Sequence, residues 1–95
     1  MLDELFQIIE DRKANPVEGS YTNRLLEAGE DEILKKIGEE AVEVILAAKA
    51  QGNQRLVEEL ADLVYHSLVL LAAKGLSLSD IQGELSSRQF SSTRR

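Results

Sequence analysis

Cysteine and tryptophan are absent from this chain, and proline occurs once, at Pro16. Without cysteine there is no disulfide framework and no thiolate metal centre, which excludes zinc ribbons and small disulfide scaffolds. Positive charge is also scarce. Eleven Lys and Arg stand against 17 Asp and Glu, and the resulting net charge of -6 disfavours nucleic acid or an anionic membrane as a partner. No apolar run reaches the roughly 18 residues needed to span a bilayer. The opening Met1-Leu2-Asp3-Glu4 is acidic where a signal peptide is basic. These absences predict a cytoplasmic protein.

What is present is helical periodicity. At 95 residues the chain makes a single domain. A domain of this size buries only a modest share of its surface, so a partner subunit is a natural complement. The stretch Asn15-Pro16-Val17-Glu18-Gly19-Ser20 is turn-forming and should end a first helix over residues 2–14. Ser20 or Thr22 can cap a brief second helix, which Gly29 stops by tolerating a left-handed backbone. From residue 30 to 51, Ile33, Ile37, Ala41, Val44 and Ala48 recur at the three-and-four spacing of one helical face. Gly52-Asn53 breaks that helix. The next, over 54–74, carries Leu56, Leu60, Val64, Ser67 and Leu71 as its expected core stripe.

A fifth helix is predicted within 76–88, capped by Ser77 or Ser79, with Leu78, Ile81 and Leu85 at helical intervals. The expected fold is therefore all-α, with about five helices and two long antiparallel ones at its centre. The domain should cover residues 1–88, and the tail 89–95, with only Phe90 as an anchor, should be flexible. Val42, Leu46, Val69 and Leu70 fall off the main stripes of the long helices. Apolar surface on a second side implies burial on a second side, so a homodimer or larger homo-oligomer is predicted.

The acidic residues of the long helices are spaced for chemistry. With Ile37 as zero, Glu40 falls about 60° and Glu43 about 120° to one side of the stripe. With Leu60 as zero, Glu59, Asp62 and His66 share one flank within about 60° of each other. Antiparallel packing can bring four carboxylates, Glu40, Glu43, Glu59 and Asp62, to one spot. Two such charges about 5 to 6 Å apart repel by roughly 3 kcal/mol at an effective dielectric near 20, so the cluster calls for a cation. Carboxylate oxygens without thiolate suit Mg²⁺, with Mn²⁺ as a substitute, better than zinc. A cation held this way neutralises charge in phosphoryl transfer and lowers the pKa of a bound water.

A plainer reading stands beside this one. Acidic residues usually form a helix's solvated face, and Lys35 with Glu39 or Lys36 with Glu40 make ordinary i, i+4 pairs. His66 can accept a proton or contact a phosphate, or simply pair with Asp62 at the helix surface. Gly38, in a helix interior, fits either close approach by a neighbour or ligand, or crowded helix packing.

The segments Lys35-Lys36-Ile37-Gly38-Glu39-Glu40-Ala41-Val42-Glu43 and Glu59-Leu60-Ala61-Asp62-Leu63-Val64-Tyr65-His66 resemble the MazG-type nucleotide pyrophosphohydrolases. That family's pattern is a Glu-Glu-x-x-Glu helix followed by a Glu-x-x-Asp helix. Ser20-Tyr21-Thr22, the doubled lysine, Tyr65-His66, and the closing Gly75-Leu76-Ser77-Leu78-Ser79-Asp80-Ile81 and Glu84-Leu85-Ser86-Ser87-Arg88 narrow the resemblance to its phosphoribosyl-ATP pyrophosphatase branch. The resemblance implies hydrolysis of phosphoribosyl-ATP to phosphoribosyl-AMP and pyrophosphate, the second step of histidine biosynthesis. It implies Glu40, Glu43, Glu59 and Asp62 as Mg²⁺ ligands, and Glu39 as support for a second ion or for the attacking water. Lys35 and Lys36 become phosphate contacts. Ser20, Tyr21, Thr22, Tyr65, His66 and Arg88 become substrate contacts. The cyclohydrolase domain that accompanies this activity in some proteins is not expected in 95 residues. The alternatives are a house-cleaning enzyme for free nucleoside triphosphates on the same scaffold, and a non-enzymatic helical dimerisation module indifferent to magnesium. A di-iron bundle is disfavoured because His66 has no second copy.

Overall fold

Pro16 and Gly19 do break the chain as their chemistry requires, and four glycines take positive φ where helices meet or end. The computed structural model describes residues 1–88; the expectation for 89–95 and Phe90 lies outside the described residues. Five α-helices follow in order: α1 (Leu2–Ala14), α2 (Tyr21–Ala28), α3 (Glu30–Leu46), α4 (Asn53–Ala73) and α5 (Leu78–Ser87). A π turn, Ala47–Gln51, extends α3. Among the described residues there is no strand.

Local signals explain the boundaries. α1 carries Asp3 and Glu4 in its first turn and Arg12 and Lys13 in its last, matching the helix dipole at both ends. Ser20 caps α2 by accepting a hydrogen bond from the Asn23 N–H at 3.2 Å. Ser77 precedes α5 and closes a capping box, its own N–H donating to Asp80 at 2.9 Å. Gly29 departs from the left-handed expectation, and Gly52 shares its conformation. Their φ values of 100° and 89° combine with ψ of 176° and 165°, an extended region of positive φ that essentially only glycine occupies. Each lets one helix end and the next begin within a single residue.

The core gathers Phe6 and Ile9 of α1, Leu25 of α2, Ile33 of α3, and Leu68, Val69 and Ala72 of α4. Two polar ties close it. Asn23, itself buried, donates to the Arg12 carbonyl at 2.7 Å and accepts from the Val17 N–H at 2.9 Å, fastening the proline turn. Lys13 donates across the core to the Ala72 carbonyl at 2.7 Å, satisfying one of the last carbonyls of α4.

The expected core stripe of α4 holds only in part: Leu71 packs against the core and Leu56 and Ser67 are half-buried, but the middle of the stripe is not covered. Leu60 and Val64 are 42% and 40% exposed, and the buried positions are Glu59, His66, Leu68, Val69 and Ala72. α4 is apolar around most of its circumference, so its periodicity defines a stripe without saying which side meets the rest of the chain. The expected stripe of α3 holds at Ile33, buried, and at Ile37, Ala41 and Val44, half-buried, and fails at its end. Ala48 is exposed and Ala47 is buried, and Ala47 lies about 80° from Ile37 on the same side as Glu40. The two helices therefore meet over their acidic flanks, with the core beyond one end of that contact.

Candidate functional site

Glu40 of α3 faces Glu59 and Asp62 of α4, and one carboxylate oxygen from each of these residues lies within 4.8 Å of the others. This is what the antiparallel hairpin makes of an i, i+3 pair on one helix opposite a glutamate on the other. Glu59 is buried, Glu40 half-buried and Asp62 exposed, so the trio opens to solvent on the Asp62 side. Glu40 Oε2 is buried with no hydrogen-bond partner among the described residues. Burial first, then close contact with the Glu59 carboxyl and the charge of Asp62, pushes the Glu40 carboxyl above the ordinary glutamate range. An unpartnered buried oxygen beside two further carboxyls fits a hard cation: the three can hold a metal ion.

Glu43 and Glu39 are not in this trio. Glu43 is half-buried one turn further along α3, and Glu39 is exposed, with Lys36 Nζ 3.7 Å away. Lys36 thus pairs with Glu39 in place of the expected Glu40. Lys35 is exposed, as its position on the far side of α3 requires.

The short helix α2 presents its first residues to α4. The Asp62 carbonyl lies 2.7 Å from His66 Nδ1, so that nitrogen carries the proton and donates. In the neutral ring Nε2 is then an acceptor, and the Tyr21 hydroxyl donates to it at 3.1 Å. Thr22 and Tyr65 join hydroxyl to hydroxyl alongside. The Tyr21 and Tyr65 rings stack with centroids 6.2 Å apart, His66 meets the Tyr65 ring edge-on at 5.1 Å, and Arg24 lies 5.4 Å over the Tyr21 face. His66 is therefore a buried ring fixed to the backbone of Asp62, not a surface partner of its carboxylate. Tyr21 and Thr22 thereby reach the neighbourhood of the acidic trio, whereas the Ser20 hydroxyl is occupied by capping. Arg88 pairs with Glu84 on its own helix at 3.1 Å.

Two residues escaped the sequence reading. Asn23 has a structural role at the turn. Arg55 bears on the site: Nη1 donates to Glu58 at 2.6 Å and Nη2 donates to Glu59. Hydrogen bonding to Glu58 and the charge of Glu59, with a smaller push from Glu43, hold its guanidinium above its ordinary value. The signal was its i, i+3 and i, i+4 spacing to Glu58 and Glu59.

The family model for phosphoribosyl-ATP pyrophosphohydrolase matches residues 2–89. A phosphoribosyl-ATP pyrophosphatase of Listeria welshimeri is 58% identical over 89 residues, covering 94% of this chain and 85% of that relative. One from Clostridium acetobutylicum is 53% identical over 88 residues, covering 93% and 80%. The histidine biosynthesis bifunctional protein HisIE of Caldanaerobacter subterraneus is 52% identical over 88 residues, which span 93% of this chain and 43% of that longer protein.

Proposed function

The chain belongs to the phosphoribosyl-ATP pyrophosphohydrolase family, and we propose on that footing that the facing acids of α3 and α4 are its catalytic centre. The activity is hydrolytic: phosphoribosyl-ATP is cleaved to phosphoribosyl-AMP and pyrophosphate, a step of histidine biosynthesis that we place in the cytoplasm. The convergence of Glu40, Glu59 and Asp62 around an unpartnered buried oxygen carries the site assignment.

These three residues hold a divalent cation, taken to be Mg²⁺ with Mn²⁺ able to substitute, and Glu43 is the fourth ligand drawn from the next turn of α3. When bound, the cation neutralises phosphate charge and lowers the pKa of a coordinated water. Glu39, exposed beside the cluster, orients the attacking water or supports a second ion. Lys36 shares the acidic flank and binds phosphate as a point charge once drawn off Glu39. The Tyr21, Thr22, Tyr65 and His66 network, packed next to Asp62, forms the wall against which the rest of the nucleotide is read. Arg88 and Lys35 contact substrate phosphates from further away, and Ser20 acts through the pose of α2.

The enzyme works as a homodimer in this reading. Leu34, Val42 and Ile45 of α3 and Val57, Leu60 and Val64 of α4 are exposed in the single chain. Gly38 sits among the α3 set, and a methyl added there would meet nothing within 4 Å, so no neighbour among the described residues explains the glycine. A second copy packing closely against α3 supplies one.

The decisive measurement is pyrophosphate release from freshly prepared phosphoribosyl-ATP with and without Mg²⁺, alongside a panel of deoxynucleoside triphosphates. Magnesium-dependent release, lost in Glu40→Gln, is expected. Faster cleavage of the free triphosphates would move the chain to a house-cleaning role, and indifference to Mg²⁺ would remove the assigned centre.

A further inference from the structure

One member of the acidic trio, Glu59, already has a cation seated on it, supplied by α4. Arg55 lies one turn before Glu59 and grips it through Nη2, while Nη1 donates to Glu58 at 2.6 Å. The partners differ sharply in setting, since the Glu59 side chain is 6% exposed and that of Arg55 is 48% exposed. A carboxylate withdrawn from water needs a neutralising charge. A guanidinium with water at its back gives up such a pair at little cost, because solvent and the exposed Glu58 remain to receive it.

We propose that Arg55 is a tethered stand-in for the divalent cation, neutralising Glu59 in the metal-free protein and setting the metal concentration at which the acidic trio fills. The inference rests on the reading that Glu40, Glu59 and Asp62 hold that cation. A guanidinium on Glu59 reduces the field that attracts a dication, and the positive charge beside an occupied site repels it. Arg55 therefore keeps the empty site folded at the expense of affinity. An arginine that only oriented Glu59 for coordination would have the opposite signature, since losing an orienting partner weakens metal binding.

The test uses the full chain stripped of metal, reading the thermal unfolding midpoint without metal and, by isothermal titration calorimetry with Mg²⁺ alone, the Mg²⁺ concentration at half-saturation, for wild type, Arg55→Gln, Arg55→Lys and Glu40→Gln. Arg55→Gln is expected to unfold at a lower temperature without metal and to reach half-saturation at an Mg²⁺ concentration about threefold lower or more, as loss of one neighbouring charge at partial screening implies. Arg55→Lys, which keeps the charge, should stay close to wild type. Half-saturation unchanged or raised in Arg55→Gln, with wild type still responding to Mg²⁺, overturns the stand-in role and leaves the metal site intact. A wild type that responds no more than Glu40→Gln overturns the metal-site reading and this inference with it.

Discussion

Glu40 combines a raised carboxyl pKa with a buried oxygen that has no hydrogen-bond partner among the described residues. In metal-free protein the folded-state pKa lies above the unfolded value near 4.3. Its protonated form is therefore favoured by folding, and stability held at acid pH is lost as pH rises from that value through the raised one. Urea unfolding at a series of pH values in chelator should show this decline, and Glu40→Gln or saturating Mg²⁺ should flatten it. Catalytic turnover of Glu40→Gln should fall about 100-fold or more, since a ligand and its charge are lost together. Tyr21→Phe makes a separate prediction. It keeps the stacked ring but strips the donor from buried His66 Nε2, so it should cost about 1 kcal/mol in urea unfolding. The acids Glu40, Glu59 and Asp62 were legible in the sequence because a regular helix fixes angular position from spacing alone. Arg55's hold on Glu59 was not, because a long flexible side chain chooses among neighbours only once they are placed.

Helix boundaries depend on short-range chemistry, and here they fell close to the residues that carry it. Ser20, Ser77, Gly29 and Gly52 each act within a turn of their own position. Gly52 has the largest consequence, because it joins the helices that bear the acids. Gly52→Ala would force a β-carbon into a backbone region reserved for glycine, at a cost of about 1 to 3 kcal/mol, and would shift Glu40 against Glu59. A lower denaturation midpoint together with a lower affinity for Mg²⁺ is the expected pair of results. Ser20→Ala should cost about 1 kcal/mol and leave Mg²⁺ binding unchanged, as its cap acts on α2 alone. The π turn at 47–51 had no such local signature. Its residues, Ala-Ala-Lys-Ala-Gln, favour an ordinary helix equally well.

On the scale of the whole molecule, the exposed apolar faces of α3 and α4 are what a second copy would cover. Sedimentation should give a dimer for the native chain and a monomer for Ile45→Asp or Val64→Asp. Each variant should keep its helical circular dichroism, because both side chains lie outside the core that holds the chain together. Persistence of the dimer in both would place the interface elsewhere.

Composition, periodicity and turn chemistry, all readable within a few residues, determined an all-helical chain, the ends of its helices and which acids share a flank. Which flank turns inward was decided only by tertiary structure. On α4, Leu56, Leu60 and Val64 form as good an apolar stripe as Leu68, Val69 and Ala72, and propensity does not rank them. The choice went to the face where α1 and α2 supply Phe6, Ile9 and Leu25 to complete a core. With it went the burial of His66, three residues before Val69 on that side of the helix, whereas Glu59 is buried where α3 brings Glu40 against it.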